Sequence, residues 1–289
     1  MSAAVLLEHA LNATQLGVML FLMAAGLTLV CGIMNLINLA HGSLYMIGAY
    51  FAATLQVWTG SFALALFIAL PATALLGLII EVVALRTLYT RDHLDQVLCT
   101  FGLILLLNDV VRMIWGPLPL RMSPPPALSG SIDLFGIPYP GFRLAIIVVG
   151  VGVAGLLYLL ISRTKAGMLI RAGASDRMMI GALGVNIKLL FTFIFALGAA
   201  LAALAGVMAG PLLSVQIGMG DHILILTLVV IVIGGIGSVR GAFVAALLVG
   251  FIDTAGRIAL PPALAEMATY GLMAVVLLTR PQGLFAARA

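Results

Sequence analysis

Charged side chains are scarce in this chain of 289 residues, because Asp, Glu, Lys and Arg together make up 8% of it. A soluble globular domain carries about 25% charged residues, so this chain cannot cover a water-facing surface. The scarcity excludes a soluble enzyme and a nucleic-acid-binding module. The 63% hydrophobic content also excludes disorder. A polytopic membrane protein remains.

Residues that bind metals or carry redox chemistry are scarce as well. Cys31 and Cys99 are the two cysteines, and they lie far apart inside apolar runs, so their spacing suggests neither a metal site nor a redox pair. A membrane-embedded hydrolase would need a nucleophile–base pair or a metal cluster, but the four histidines are scattered: His9, His41, His93 and His222. We therefore expect no metal, no cofactor and no catalytic residue in this chain.

Long apolar runs dominate the sequence. Runs of about 20 residues cross a bilayer as helices, because lipid cannot satisfy free backbone N–H and C=O groups. A β-barrel would instead have short alternating segments. The sequence predicts one all-α transmembrane domain over 1–289, with eight or nine spans and some discontinuous helices. The runs lie near 12–33, 43–59, 62–85, 97–116, 144–162, 189–213, 222–238, 241–256 and 265–279. Pro71 should kink the third.

Basic residues orient the predicted bundle. The segment 163–188 carries five cations against one acid, Asp176, and such segments face the cytoplasm. Counting spans outward from it predicts an outer, periplasmic amino terminus and a cytoplasmic carboxyl terminus. The other cations expected at the inner face are Arg86, Arg91, Arg240, Arg280 and Arg288.

The longest outer connection, 117–142, is rich in proline. Proline at this density cannot be helical and stiffens an extended or turn-rich path. The connection is either an ordered external cap or docking surface, or a plain linker.

Polar residues interrupt the apolar sequence after the first run. Polar groups and a weakened helix at membrane depth are tolerated where they face protein or a wet cavity, which favours a solute pathway. A short cytoplasmic turn with an asparagine cap, or hydrogen bonds between helices, explains them equally well. The candidate pathway residues are Asn35, Asn38, His41, Gly42, Ser43 and Tyr45.

Four glycines within eight residues predict a second break. Each costs a helix about 1 kcal/mol relative to alanine. The segment is either a hairpin turn of close-packed helices or, with the first break, one of two discontinuous helices around a midplane site. The glycines are Gly234, Gly235, Gly237 and Gly241.

Within 163–188 a short amphipathic helix is expected from Ser175, which would cap it. Met178, Met179, Ala182 and Leu183 would form its apolar stripe. Such a helix is either an interfacial anchor or a knob for a partner's groove.

Charges inside the apolar runs suggest structural pairs. Asp109 and Arg112 are three residues apart, and Asp253 and Arg257 are four apart, so each pair shares a helix face. Glu81 lacks an obvious partner within a turn, although Arg86 is near. Glu81 is therefore the best candidate for a buried functional acid.

Four stretches resemble the permeases of branched-chain amino acid ABC importers, the LivH/LivM family, and fit its LivH-like half better. They are GLTLVCGIMNLINLAHGSLYMIGAY at 26–50, RAGASDRMMIGALGVN at 171–186, GGIGSVRGAFVAALLVG at 234–250 and RPQGLF at 280–285. The resemblance covers nearly the whole chain. It is specific for the family but not for the substrate.

The resemblance implies a division of labour between subunits in a bacterial inner membrane. A second, LivM-like permease would complete the path, a periplasmic binding protein would deliver the solute, and two ATPase subunits would carry ATP and Mg²⁺. The chain itself lacks a Walker A motif. The resemblance assigns ATPase coupling to Arg171, Asp176, Leu183, Gly184, Val185 and Asn186 and the translocation route to the segment around Asn35, Asn38, Ala40, His41 and Gly42.

A stand-alone channel or secondary transporter for a small polar solute remains the alternative function, since broken helices and paired charges suit it too. The resemblance favours hydrophobic amino acids as substrates. It also admits urea, short amides and aromatic or small carboxylates.

Overall fold

A computed structural model describes residues 3–134 and 136–285, and Arg288 lies outside this part. The helices are α1 (Ala3–Met34), α2 (His41–Thr59), α3 (Phe62–Val83), α4 (His93–Trp115), α5 (Gly141–Arg163), α6 (Lys165–Ser175), α7 (Arg177–Ala182), α8 (Ile187–Ala209), α9 (Met219–Gly234), α10 (Val239–Ala259) and α11 (Pro262–Thr279). Two strands, β1 (Ser131–Leu134) and β2 (Ile137–Pro140), form a small antiparallel hairpin.

The predicted helical bundle is confirmed. Each of the nine apolar runs coincides with one helix, from α1 to α5 and from α8 to α11. Among the described residues, six helices are long and apolar enough to span a membrane: α1, α3, α4, α5, α8 and α10. The apolar helix α9 is shorter, as is the apolar part of α11, Met267–Thr279. Helix α3 runs through Pro71 without interruption.

Helices α1 and α8 form the centre of the bundle, while α3, α4 and α5 expose most of their surface. Helix α1 packs against α8, α10, α5 and α9, and α8 also packs against α2 and α3. Glycine permits the closest of these approaches. A Cβ atom on Gly250 of α10 would lie 2.4 Å from the carbonyl oxygen of Ala13 in α1. Small residues at such crossings let helix backbones pack closely where lipid supplies no hydrophobic drive.

The proline-rich connection contains secondary structure and is hydrogen-bonded to the bundle. The hairpin of β1 and β2 lies within it and was not predicted. Leu120 exchanges two backbone hydrogen bonds with Val215, at 2.8 and 2.9 Å. The side chain of Gln56 in α2 donates to the carbonyl oxygen of Ser123 over 2.8 Å. These bonds fix the cap to α2 and to the connection between α8 and α9.

The segments predicted to face the cytoplasm lie together at one end of the bundle. Arg86 donates to Thr192, near the start of α8, over 3.0 Å. Arg177 of α7 donates to the carbonyl oxygen of Met34, the last residue of α1, over 3.4 Å. The segment 280–285 pairs with the end of α9 through two backbone hydrogen bonds. The structure thus groups these ends, and the side of the membrane that they face stays a prediction.

Glu81 has partners that the sequence analysis did not foresee. Its carboxylate is fully buried and lies 3.2 Å from Arg86. It accepts a hydrogen bond from Thr192 over 2.7 Å and another from the Tyr89 hydroxyl. Burial and this bond raise the pKa of the Tyr89 hydroxyl, so the hydroxyl stays protonated and donates. Glu81 therefore acts as a clamp, a buried carboxylate that joins α3, the following turn and α8 by hydrogen bonds. Both of its carboxylate oxygens are occupied by these contacts, which leaves neither free for chemistry.

The other two acids form the predicted pairs. Asp253 lies 2.7 Å from Arg257 and is almost fully buried, whereas Asp109 and Arg112 are 3.2 Å apart and largely exposed. The buried pair at Glu81 and the exposed pair at Asp109 can therefore be compared directly.

We expect Glu81→Ala to lower the stability of the protein by about 3 kcal/mol, because it removes the carboxylate that pairs with the buried end of Arg86 and accepts from Tyr89. Asp109→Ala removes an exposed pair and should cost about 1 kcal/mol or less. The melting temperatures of the two purified variants in detergent measure the difference. Equal losses would contradict the clamp.

Candidate functional site

Helix α2 begins inside the bundle rather than at one of its ends. The backbone N–H of Ile37 donates to Gln96, near the start of α4, over 3.2 Å. The ring of Tyr50 lies 5.2 Å from that of Trp115, the last residue of α4. Gln96 and Trp115 are about 28 Å apart along the helix. Because His41 lies between Ile37 and Tyr50 in the chain, α2 starts between the two ends of α4.

Helix α9 begins beside the same point. The backbone N–H of Gly218 donates to the Sδ atom of Met46 in α2 over 3.4 Å. Gly42 and Gly220 are in direct contact: a Cβ on Gly42 would lie 2.6 Å from the carbonyl oxygen of Gly220, and one on Gly220 would lie 2.0 Å from that of Gly42. Two short helices thus start next to each other within the bundle.

The glycine-rich segment after α9 corresponds to the hairpin turn, the first of its two interpretations, and not to the midplane break. It is a turn in which Gly235 and Gly237 take positive φ angles of 96° and 84°. The hydroxyl of Ser238 accepts from the N–H of Gly241 over 3.1 Å and caps α10. Gly237 donates to Thr28 of α1 over 3.0 Å. Gly234 and Gly241 allow α9 and α10 to touch. The second discontinuous helix is therefore α9 at its start, not this turn.

Polar side chains at the start of α2 are enclosed and unpaired. Asn38, His41 and Ser43 are 1%, 0% and 2% exposed. Among the described residues, the Asn38 amide, both His41 ring nitrogens and the Ser43 hydroxyl have no hydrogen-bond partner. Leaving such a group unpaired costs about 1–3 kcal/mol, so each calls for an explanation. These groups can donate to and accept from a polar molecule that enters this region.

The remaining residues of this segment have backbone or packing roles. Asn35 is exposed and adopts a positive φ of 51°, which turns the chain after α1. Tyr45 is buried in the core, and Gly42 makes the contact with α9. The imidazole of His41 packs against Gly26 of α1, where a Cβ would lie 3.0 Å from Nε2.

The two helix starts also present backbone donors. Ala40 and Gly218 occupy the N-cap positions, and no side chain accepts a hydrogen bond there. The first turn of a helix carries the positive end of the helix dipole. Several N–H groups of these two turns already donate to backbone carbonyls, among them those of His41, Ser43, Met219 and Asp221. These ends and the unpaired polar side chains can bind a small polar molecule, and the first turn of α9 already holds one carboxylate, that of Asp221. We call Asn38, His41, Ser43, Gly42 and Gly220 the enclosed site.

The basic segment forms two short helices with well-defined caps. Asp176, rather than the predicted Ser175, caps α7: its Oδ1 accepts from the N–H of Met179 over 2.9 Å. Ser175 instead ends α6. Asn186 caps α8 by accepting from Leu189 over 3.1 Å. Leu183 is 75% exposed, and Gly184 takes a positive φ of 87° that ends the turn.

Two basic residues connect this segment to its neighbours. Arg171 of α6 donates to the carbonyl oxygen of Ile161 in α5. Arg177 donates to Met34 at the end of α1, and its guanidinium lies 5.9 Å from the ring centre of Phe191. Sequence reasoning missed this role of Arg177, because nothing in the spacing relates it to a residue 143 positions away.

Sequence reasoning also missed Gly220, although a signal was present. The run at 222–238 gives α9 only 16 residues, fewer than the roughly 20 that a full crossing needs. Gly218 and Gly220 precede that short run. A short helix led by glycines indicates a discontinuous span.

Interrupted helices whose amino ends meet around enclosed polar groups, within an apolar bundle, are the arrangement of a membrane transporter. The family described as "Branched-chain amino acid transport system / permease component" matches residues 10–277. The chain therefore belongs to this family.

Curated relatives agree with this assignment. The chain is 33% identical to the high-affinity branched-chain amino acid transport system permease protein BraD of Pseudomonas aeruginosa, over 96% of this chain and 95% of that protein. It is 29% identical to the corresponding protein LivH of Escherichia coli K12, over 96% of this chain and 94% of that one. The predicted LivH-like character is thus confirmed. With its apolar helices, the chain is a multi-pass inner-membrane protein.

The contact between Gly42 and Gly220 should not tolerate a side chain. We expect Gly220→Ala to destabilise the protein by about 1–3 kcal/mol and to separate the starts of α2 and α9, because the new Cβ would overlap the Gly42 carbonyl. Gly102→Ala in α4, where a Cβ meets nothing within 4 Å, is the matched control. Thermal unfolding of both variants checks this, and equal melting temperatures would refute the contact.

Proposed function

We propose that this chain is the membrane-spanning permease subunit of an ATP-driven importer and that it carries a branched-chain or other hydrophobic amino acid. The observation that carries the proposal is the enclosed site, where α2 and α9 begin side by side. An amino acid carboxylate would bind at the start of α2, because the first turn of α9 already holds the acidic side chain of Asp221. Asn38 and Ser43 would complete its hydrogen bonds, which would account for polar atoms that otherwise have no partner.

Other subunits supply the energy and the initial capture in this proposal. The chain has no phosphate-binding motif for ATP, so two ATPase subunits with ATP and Mg²⁺ would bind at its inner face. A periplasmic binding protein would deliver the solute. A second, LivM-like permease would complete the path, which suits the large exposed surfaces of α3 and α4.

Helix α7 is the element through which the ATPases would act. Three apolar residues on or just after this helix are exposed, Met178 by 86%, Met179 by 59% and Leu183 by 75%, whereas Ile180 is buried. Such a surface fits a groove on a partner protein. The positive charge of 163–188 supports a cytoplasmic position for α7, in which case the amino terminus would be periplasmic and the carboxyl terminus cytoplasmic.

A physical path leads from α7 to the enclosed site. Arg177 binds the last carbonyl of α1 at Met34, and only residues 35–40 separate that helix from α2. A movement of α7 would therefore shift the end of α1 and the start of α2 together. Alternating access follows if ATP binding moves α7 and the helix starts separate to release the solute.

We expect Leu183→Asp to abolish ATP-dependent uptake of leucine, isoleucine and valine by the reconstituted importer, because a charge would disrupt the apolar contact with the ATPases. The variant should also fail to copurify with them. Ser129→Asp, on the exposed cap at the other end of the bundle, should leave both unchanged. Uptake by the chain alone, without nucleotide, would contradict the proposal and favour a secondary transporter or channel.

We expect Ser43→Ala to slow uptake about tenfold, the equivalent of one lost hydrogen bond of ~1.4 kcal/mol to the solute. Because the hydroxyl is unpaired without solute, the melting temperature of the empty protein should stay the same or rise. Thr73→Val removes a buried hydroxyl that already bonds Ala69 and should leave uptake unchanged. Normal uptake by Ser43→Ala would exclude this residue from the solute path.

A further inference from the structure

A cavity of about 1100 Å³ lies apart from the residues of the enclosed site. It is bounded by α1, α5, α6 and the start of α10. Several of its lining residues on α5 are also exposed, among them Val151, Gly155 and Tyr158. The cavity is therefore open sideways along α5, on a surface that faces lipid or another subunit.

Polarity divides the cavity lengthwise. Its polar side chains lie where α5 ends and α10 begins, and they include Ser162, Arg171 and Arg240. Further along, the walls are apolar, as at Phe21, Val151 and Phe243. Val151 and Ser162 are separated by about 16 Å along α5. The cavity thus joins a short cationic end to a longer apolar channel.

The cationic end is not neutralised. No acidic side chain lines the cavity, and within the described ranges neither Arg171 nor Arg240 forms an ion pair. Arg240 lies over the ring of Tyr158, 5.0 Å from its centre, which holds the guanidinium at the cavity. One guanidinium N–H of Arg171 donates to the carbonyl oxygen of Ile161, and the guanidinium has further N–H donors. Two guanidinium groups with spare donors suit a phosphate.

We propose that this cavity binds one anionic phospholipid, with its headgroup phosphate at Arg171 and Arg240 and an acyl chain along α1, α5 and α10. Basic pockets between membrane helices on the cytoplasmic side bind such headgroups, and the proposed orientation puts this end there. A free phosphate would satisfy the arginines but leave the apolar channel empty. A lipid with an uncharged headgroup would fill the channel but not pair with the arginines.

The position of the cavity gives the lipid a structural consequence. It would touch α6, in the basic segment, and Gly237, in the turn between α9 and α10. It would therefore tie the segment proposed to receive the ATPases to the helices that carry the enclosed site. The bound lipid should stabilise the assembled importer.

The test uses the assembled importer in detergent, with phosphatidylglycerol and phosphatidylcholine of the same acyl chains and inorganic phosphate as probes. We expect phosphatidylglycerol to raise the melting temperature by about 3 °C or more and native mass spectrometry to detect one bound molecule. The other two probes should give neither result. Equal effects of the two lipids, or of inorganic phosphate alone, would overturn the proposal.

Two matched pairs of variants test the cationic end and the apolar channel of the cavity independently. Arg240→Gln should abolish the shift, whereas Arg163→Gln, an exposed cation at the end of α5 outside the cavity, should retain it. Gly155→Leu should fill the channel and also abolish the shift. Gly152→Leu should not, because Gly152 has the same open surroundings but does not line the cavity. Retention of the shift in Arg240→Gln or Gly155→Leu would overturn the assignment.

The assembled importer also tests whether another protein fills the cavity. If the isolated chain binds phosphatidylglycerol but the assembled importer holds none, a partner subunit occupies the cavity and the lipid assignment is wrong. If both hold one molecule, the lipid assignment stands.

Discussion

The bilayer core offers no water to satisfy a polar group, and this constraint governs the whole structure. Backbone groups must bond within helices, so any interruption has to be enclosed by protein or line a cavity. The start of α2 obeys this rule: Asn38, His41 and Ser43 lie inside the bundle, surrounded by other helices. The interruption is costly, because it leaves buried polar atoms without hydrogen-bond partners.

Close packing makes this enclosure possible. The hydrophobic effect does little to hold helices together in lipid. Association depends instead on close van der Waals packing, which small residues allow. Gly42 against Gly220 brings two helix starts together, and Gly250 against Ala13 holds α10 to the central α1. Larger residues at these points would hold the helices apart and open the polar groups to lipid. The glycines thus connect the packing of the bundle to the chemistry of its interior.

The charged residues divide into two groups by their surroundings. Glu81 is buried and meets three donors, so it ties α3 to α8. The cations of the basic segment and of Arg240 lie at one end of the bundle, where they can reach other subunits or lipid headgroups. Arg177 joins this end to the interior through the carbonyl of Met34. Few charges are present, and those at Glu81 and Arg177 connect helices that are distant in the sequence.

The sequence by itself determined the membrane class, the nine apolar helices, the turn at Gly234–Gly241 and the polar segment after α1, because hydrophobicity, helix-breaking residues and charge act locally. The family resemblance rested on the same local stretches. Only the tertiary structure decided that α9 begins beside α2, that Thr192 completes the partners of Glu81, and that Asp176 rather than Ser175 caps α7. The first two depend on residues more than 100 positions apart, and the third on where α6 happens to end. Packing sets these relations, and no local pattern in the chain encodes the distance between two helices.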